Sequence, residues 1–362
     1  MTSKAKYAKT TVKILVVLIL IDGFLDISAY FAPPFLAFAV NLIHARMQST
    51  ALPAYADKVE IERWRSAWQT MKMRQIPGIG LIPRQAELTV GSFGEFGQRL
   101  APNTFARNKN TGLLLGASQA QGFYVDNENT VAAALTRRLS NVNIINYAIP
   151  GQEITSSIMY LQWLMENDIH SDFTLLLSGP VDLMHRCIPY PNDKAEAEKI
   201  ALLRYPRLVQ LFLYPEIKIH AFENLNSGLC KPNSFGANAA VNRLLYDIKS
   251  GLNFAREHKL TFLVIIPPTP YGNRANIDNL VGTTYYEKYR EPMEATISIL
   301  HKRLIDHPIP GVIDLTDAFN DDPTPYFIDE DGHMTGRGNE KLARAICAHI
   351  DPSFFNSGKR TQ

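Results

Sequence analysis

From residue 111 onward, short apolar runs alternate with longer amphipathic stretches. The near-continuous runs at 112–116, 143–147, 173–178, 261–267 and 311–314 read as buried strands. Helical spacing marks 129–140, 153–167, 237–257, 283–304 and 338–350. Strand–helix alternation of this kind predicts a parallel sheet covered on both faces. The expected fold is α/β, a doubly wound five-stranded parallel sheet over residues 111–352. Residues 185–236 interrupt the alternation with Pro189, Pro191, Pro206, Pro215 and Pro232. They read as an insertion after the third strand, placed to shape a groove. Residues 353–362 read as a tail.

A different pattern governs the first 45 residues. Lys4, Lys6, Lys9 and Lys13 precede an apolar segment at 14–32, close to the ~20 residues a spanning helix needs. Lysines before it, with no basic cluster just after it, predict a cytoplasmic N-terminus and an extracytoplasmic main domain. A cleavable signal peptide is the rival, but its apolar core runs about 7–15 residues before a small-residue cleavage site. No convincing site follows here, which favours an uncleaved transmembrane helix acting as signal anchor. Asp22 and Asp26 share one helix face inside the segment. Either that face docks against another membrane protein, or the true span is shorter. Pro33-Pro34 ends the helix, and 35–44 is a second apolar piece suited to the membrane interface. Residues 46–110 are mixed and read as a stalk and lead-in, with a helix near 59–74 carrying Trp64 and Trp68 and loop with edge strand over 78–97.

Composition narrows the classes. The chain has 362 residues, 46% of them hydrophobic, enough for one sizeable domain with attachments. A net charge of +2 gives no electrostatic case for nucleic acid. Of the three cysteines, Cys187 and Cys230 flank the insertion and would close it as a loop in an oxidising compartment, unless all three stay reduced. Cys347 reads as a buried apolar residue. No Cys/His cluster has metal-site spacing, and the chemistry below calls for neither metal nor cofactor.

Four stretches carry that chemistry. In TGLLLGASQAQG (111–122), an apolar strand breaks at Gly116 and sets Ser118 on the turn. IINYAIPG (144–151) ends at Gly151, and FTLLLSGPVD (173–182) turns at Gly179. FIDEDGHMTGRGN (327–339) places an acidic loop before His333 and a final helix. This order resembles the SGNH (GDSL-like) hydrolase superfamily, and the text from Gly122 to Gly151 is most similar to its branch acting on cell-surface saccharides. The resemblance covers 111–182 well and 261–349 more thinly. It implies the same flavodoxin-like sheet and a serine-dependent acyl-ester enzyme with Ser118 as nucleophile and His333 as base.

The family places an aspartate three residues before the histidine. Glu330 stands there, so the orienting acid is Asp329, favoured by the strand-end match, or Asp331. The oxyanion hole would combine the N–H groups of Ser118 and Gly151. Two departures stand out. Ala117 replaces an aspartate before the serine. Val181 replaces an asparagine that donates to the oxyanion, and losing such a donor costs ~10²–10³ in rate. Gln119, Gln152 or Arg186 could substitute as donor or bind substrate. Asp182 would support its loop, and His185 with Arg186 could meet an anionic substrate group. The leading reading is an O-acetyltransferase or O-acyl esterase on an envelope polysaccharide, partnered by a multi-pass membrane acyltransferase. The rival reading is a non-catalytic scaffold of the same fold.

Overall fold

The computed structural model describes residues 58–77, 79–88, 91–100, 110–139, 141–187, 230–272 and 274–359. The apolar segment 14–32, with Asp22 and Asp26, the piece at 35–44 and most of the insertion lie outside these residues. Among the described residues, no helix is long and apolar enough to cross a membrane.

Helix α1 (Lys58–Thr70) comes first, followed by a hairpin of β1 (Met73–Ile76) and β2 (Gly80–Pro83). Three short strands follow, β3 (Ala86–Leu88), β4 (Gly91–Phe93) and β5 (Arg99–Leu100). Then come β6 (Asn110–Gly116), α2 (Ser118–Gln121), α3 (Val131–Arg138), β7 (Val142–Asn146), α4 (Ile154–Glu166), β8 (Phe173–Leu177) and α5 (Pro180–Cys187). The chain closes with α6 (Phe235–Glu257), β9 (Phe262–Ile266), α7 (Thr284–Asp306), β10 (Val312–Asp314), α8 (Gly336–His349) and a 3₁₀ turn at Pro352–Lys359.

The main sheet has eight strands in the order β10-β9-β8-β6-β7-β5-β4-β3. It is mixed, not the purely parallel five-stranded sheet expected. Strands β6 to β10 run parallel and occupy the five apolar runs, while β5, β4 and β3 continue one edge antiparallel. These edge strands are two or three residues long, too short to display a period in sequence. The lead-in is thus hydrogen-bonded into the domain. The tail departs from expectation too. Phe355 is buried, its ring 5.2 Å from Phe173, and its carbonyl accepts from Asn110 Nδ2 at 2.7 Å.

The central strands are buried along nearly their whole length, as a sheet covered on both faces requires. From β6 the chain passes sideways to β7, then crosses back to β8 and continues to β9 and β10. Helix α3 packs with α8, while α6 packs with α4 and α7, the division between two faces that right-handed crossovers give for this strand order. The reversal makes a switch point between β6 and β8, and ligands of such sheets bind at the strands' C-terminal ends there. Ser118 follows β6, Gly151 lies beyond β7 and Gly179 beyond β8.

Candidate active site

The turn that carries Ser118 is forced by packing. Gly116 has φ +136°, and a Cβ there would stand 2.0 Å from the Leu177 carbonyl of β8. Only glycine lets β6 end so close to its neighbour. Ala117 is extended, Ser118 opens the one-turn helix α2, and Gly122 closes it in the left-handed region, its N–H donating to the Ser118 carbonyl at 3.0 Å. Ser118 is half-buried, and Gly151 is exposed with φ +73°. Neither N–H donates to an acceptor among the described residues. Both groups remain available to a developing oxyanion.

His333 lies in the loop before α8 and is 6% exposed. Its Nδ1 sits 2.6 Å from Asp329 Oδ2, and its main-chain N–H donates to Asp329 Oδ1 at 3.1 Å. The two-point grip fixes the ring and lets Nδ1–H donate to the acid, so that in the neutral ring Nε2 carries the lone pair a base would use. Nε2 has no hydrogen-bond partner among the described residues, so Ser118 Oγ is not bonded to it here. Such contacts commonly tighten only in the substrate complex. Burial depresses the imidazole pKa, but the Asp329 charge and hydrogen bond, with Asp331 and Glu330 adding, carry it above the ordinary histidine value. Desolvation, reinforced by Asp329, pushes the Glu330 carboxyl up to about 7.

Of the two candidate acids, Asp329 is the one that holds His333, and Asp331 is exposed. Ligand atoms of Asp329, Asp331 and His333 lie within 4.8 Å of one another, a set able to take a metal ion. The Asp329–His333 bond already accounts for two of the three.

Several sequence-level assignments change. Gln119 cannot serve as the spare oxyanion donor, because its buried amide nitrogen donates to the carbonyls of Pro268 at 3.2 Å and Gly332 at 2.8 Å. Arg186 is engaged by Asp247 at 2.7 Å and by Asp182 at 3.5 Å, and His185 Nδ1 lies 3.0 Å from Glu153 Oε1. The pair faces acids of its own chain, so an anionic substrate would have to displace them. Gln152 is buried with Oε1 accepting from Ser157 Oγ at 3.2 Å. Val181, in the first turn of α5, has no donor to offer. Cys187 and Cys230 form a disulfide, with Cα atoms 5.4 Å apart, and Cys347 is free and half-buried.

Asp182 has a definite structural task. It is fully buried, and its Oδ1 accepts from the Ile154 N–H at 3.1 Å and its Oδ2 from Ser178 Oγ at 2.9 Å. Glu153 at the N-cap of α4 makes no side-chain cap, so Asp182 caps that helix from another element. The Gly151 loop is thereby fastened to the end of β8. Burial pushes the Asp182 carboxyl up to about 6.

Two aromatic rings that the sequence did not single out pack against the imidazole. Phe123 and Tyr124, directly after α2, lie 5.0 and 5.2 Å from His333, and Trp64 and Trp68 of α1 pack on Phe123 at 5.6 and 5.1 Å. The aromatic pair following Gly122 was the one available signal. Arg99 of β5 had none; its buried guanidinium holds the loop after α2, and burial lowers its pKa to about 9.

No family model and no curated protein matches the chain. Solved structures to which it is similar include a member of the lipolytic protein G-D-S-L family from Veillonella parvula DSM 2008, at 15% identity and a TM-score of 0.38 over 66% of this chain and 97% of that one. The psychrotrophic esterase EstA from Pseudoalteromonas sp. is similar at 13% identity and a TM-score of 0.36, over 68% of this chain and all of the other. An acetyl xylan esterase, AlAXEase, is similar at 15% identity and a TM-score of 0.35, over 67% of this chain and 100% of that one.

Proposed function

We propose that this chain is a serine-dependent acyl-ester enzyme acting through an acyl-Ser118 intermediate. The reading is carried by the Asp329–His333 pair, whose 2.6 Å contact fixes the tautomer a general base needs, beside the loop tied to the Ser118 turn. Ser118 Oγ attacks the acyl carbon while His333 Nε2 takes its proton. The N–H groups of Ser118 and Gly151 receive the oxyanion. Collapse expels the alcohol, which recovers the proton from His333, and a second hydroxyl then resolves the acyl-serine by the same steps.

The proposed substrate is an O-acylated envelope polysaccharide. The rings of Phe123 and Tyr124 against the base, with Trp68 packed on Phe123, suit the apolar faces of a sugar. The Cys187–Cys230 bond favours an oxidising, extracytoplasmic compartment. A signal anchor at 14–32 would hold the domain at the membrane, where Asp22 and Asp26 meet a multi-pass acyl-donating partner. With such a donor the second hydroxyl is a sugar's and the enzyme is a transferase; with water it is an esterase. The absence of a donor at Val181 favours a second reading, a non-catalytic scaffold of the same complex.

Labelling with a serine-reactive fluorophosphonate separates the two. The wild type is expected to take the probe and Ser118→Ala to lose it. No adduct on the wild type, or an adduct that survives Ser118→Ala, sinks the enzyme reading and leaves the scaffold. Asp22→Leu/Asp26→Leu is expected to abolish co-purification with the membrane partner, and retention of the partner would remove the docking role.

A further inference from the structure

Arg99 is 2% exposed, yet it sits in the two-residue strand β5 at the antiparallel edge. Its Nη1 donates to the carbonyls of Gln121 at 3.0 Å and Gly122 at 2.6 Å, its Nη2 to the carbonyl of Val125, and its Nε to Asn127 Oδ1 at 2.8 Å. The Trp64 ring covers the guanidinium at 4.8 Å. Arg99 also pairs across the sheet with Asn146 of β7. The Asn146 amide donates to the carbonyls of Ala120 at 3.0 Å and Gln121 at 3.2 Å.

Two cross-strand neighbours therefore bind the carbonyls of residues 120, 121, 122 and 125. Three of these lie at the C-terminal end of α2, where a helix leaves its carbonyls unpartnered. A single four-residue turn does not hold itself in water. Gly122 already supplies the ordinary left-handed cap, so a buried guanidinium exceeds what capping alone requires. The addition is rigidity over the whole segment. One end of it is Ser118, and the other presents Phe123 and Tyr124 to His333.

We infer that Arg99 is a positioning residue: with Asn146 it fixes the Ser118 turn and the two rings that bear on His333, and so sets the geometry of the reacting pair. The inference rests on reading Ser118 and His333 as that pair. Lysine keeps the charge but concentrates its donors at one point, which cannot span acceptors from residue 121 to 127.

Arg99→Lys and Asn127→Ala are to be compared with the wild type by two readouts, the fluorophosphonate labelling rate at Ser118 and the NMR resonances of the His333 ring. Folding is checked by thermal denaturation. Arg99→Lys is expected to slow labelling on the order of 10²-fold, as small displacements of reacting groups do. Its kcat for an acetyl ester should fall with KM little changed. The His333 signals should move while those of His258 and His301 stay. Asn127→Ala removes one acceptor and is expected to move both readouts in the same direction by a smaller factor. A folded Arg99→Lys with wild-type labelling and unmoved His333 signals overturns the inference. If Arg99→Lys does not fold, unchanged readouts in Asn127→Ala overturn it instead. A wild type that takes no probe refutes the esterase reading and with it the setting of a reacting pair; His333 signals that still move in the variants then leave Arg99 only its hold on the Phe123 and Tyr124 rings.

Discussion

The side-chain amide of Gln119 donates to the main-chain carbonyl of Gly332 at 2.8 Å and so fastens the residue after Ser118 to the residue before His333. The candidate nucleophile and base are 215 positions apart, and this bond joins the two segments that carry them. A second bond from the same nitrogen reaches Pro268 beyond β9.

Gln119→Leu keeps the volume but strands both buried carbonyls. It should destabilise the fold by about 1–3 kcal/mol. Labelling of Ser118 should slow by roughly 10- to 100-fold as the two loops lose their common anchor. Urea denaturation and labelling rates check both, and a variant equal to the wild type in each would show that the bond does not couple the loops.

In the proposed mechanism Asp329 governs the pH dependence, with His333 as the base. His333 must be neutral to accept the serine proton, and its pKa stands above the ordinary value. The acidic limb of kcat/KM for an acetyl ester should therefore lie above about 6.5. Asp329→Asn removes the largest raising influence and leaves burial, which lowers the pKa, so the limb should move to lower pH. The rate should fall on the order of 10³–10⁴-fold as the tautomer is lost. A limb that stays in place would exclude Asp329 as the orienting acid and return the role to Asp331.

Asp182 gives stability an unusual slope. Its folded pKa, about 6, is raised above the unfolded value, so the folded state binds the proton more tightly. Stability from this group is complete below pH ~4 and is lost as pH rises to about 6. The loss is on the order of 2–3 kcal/mol for a shift of this size. Asp182→Asn cannot ionise, and it should gain on the wild type between pH 4 and 6 and hold a constant lead above that. Urea unfolding across this range tests it; a constant difference at every pH would mean that Asp182 does not titrate there.

The Cys187–Cys230 bond spans 43 positions. Cross-linking a loop of that size restricts the unfolded chain and contributes about 2–4 kcal/mol. Cys187→Ala/Cys230→Ala should lower the urea midpoint accordingly, and reductant should act on the wild type but not on the variant. Equal midpoints would show that the bond adds nothing to folding.

Short-range features were legible in the sequence. The five parallel strands are apolar runs because they are buried on both faces, and that composition needs no partner to be seen. Gly116 stands where a strand must end in a turn, and its position in the string shows that without a partner. The candidacy of Ser118, Gly151, Asp329 and His333 followed from local strings read through a family resemblance. Gln119, His185 and Arg186 were candidates because they are polar and stand beside the motif strings, and neither property says what a side chain faces.

What a side chain faces was decided only in three dimensions. The carbonyls of Pro268 and Gly332 that engage Gln119, the Asp247 carboxylate that holds Arg186, and the helix that Asp182 caps all belong to other elements. The short antiparallel edge carries no period because two or three residues cannot show one, yet it brings Arg99 to the Ser118 turn. Hydrophobic patterning is written residue by residue along the chain. The pairing of buried polar groups is a property of the folded neighbourhood, because each donor's acceptor is set by which segments pack together.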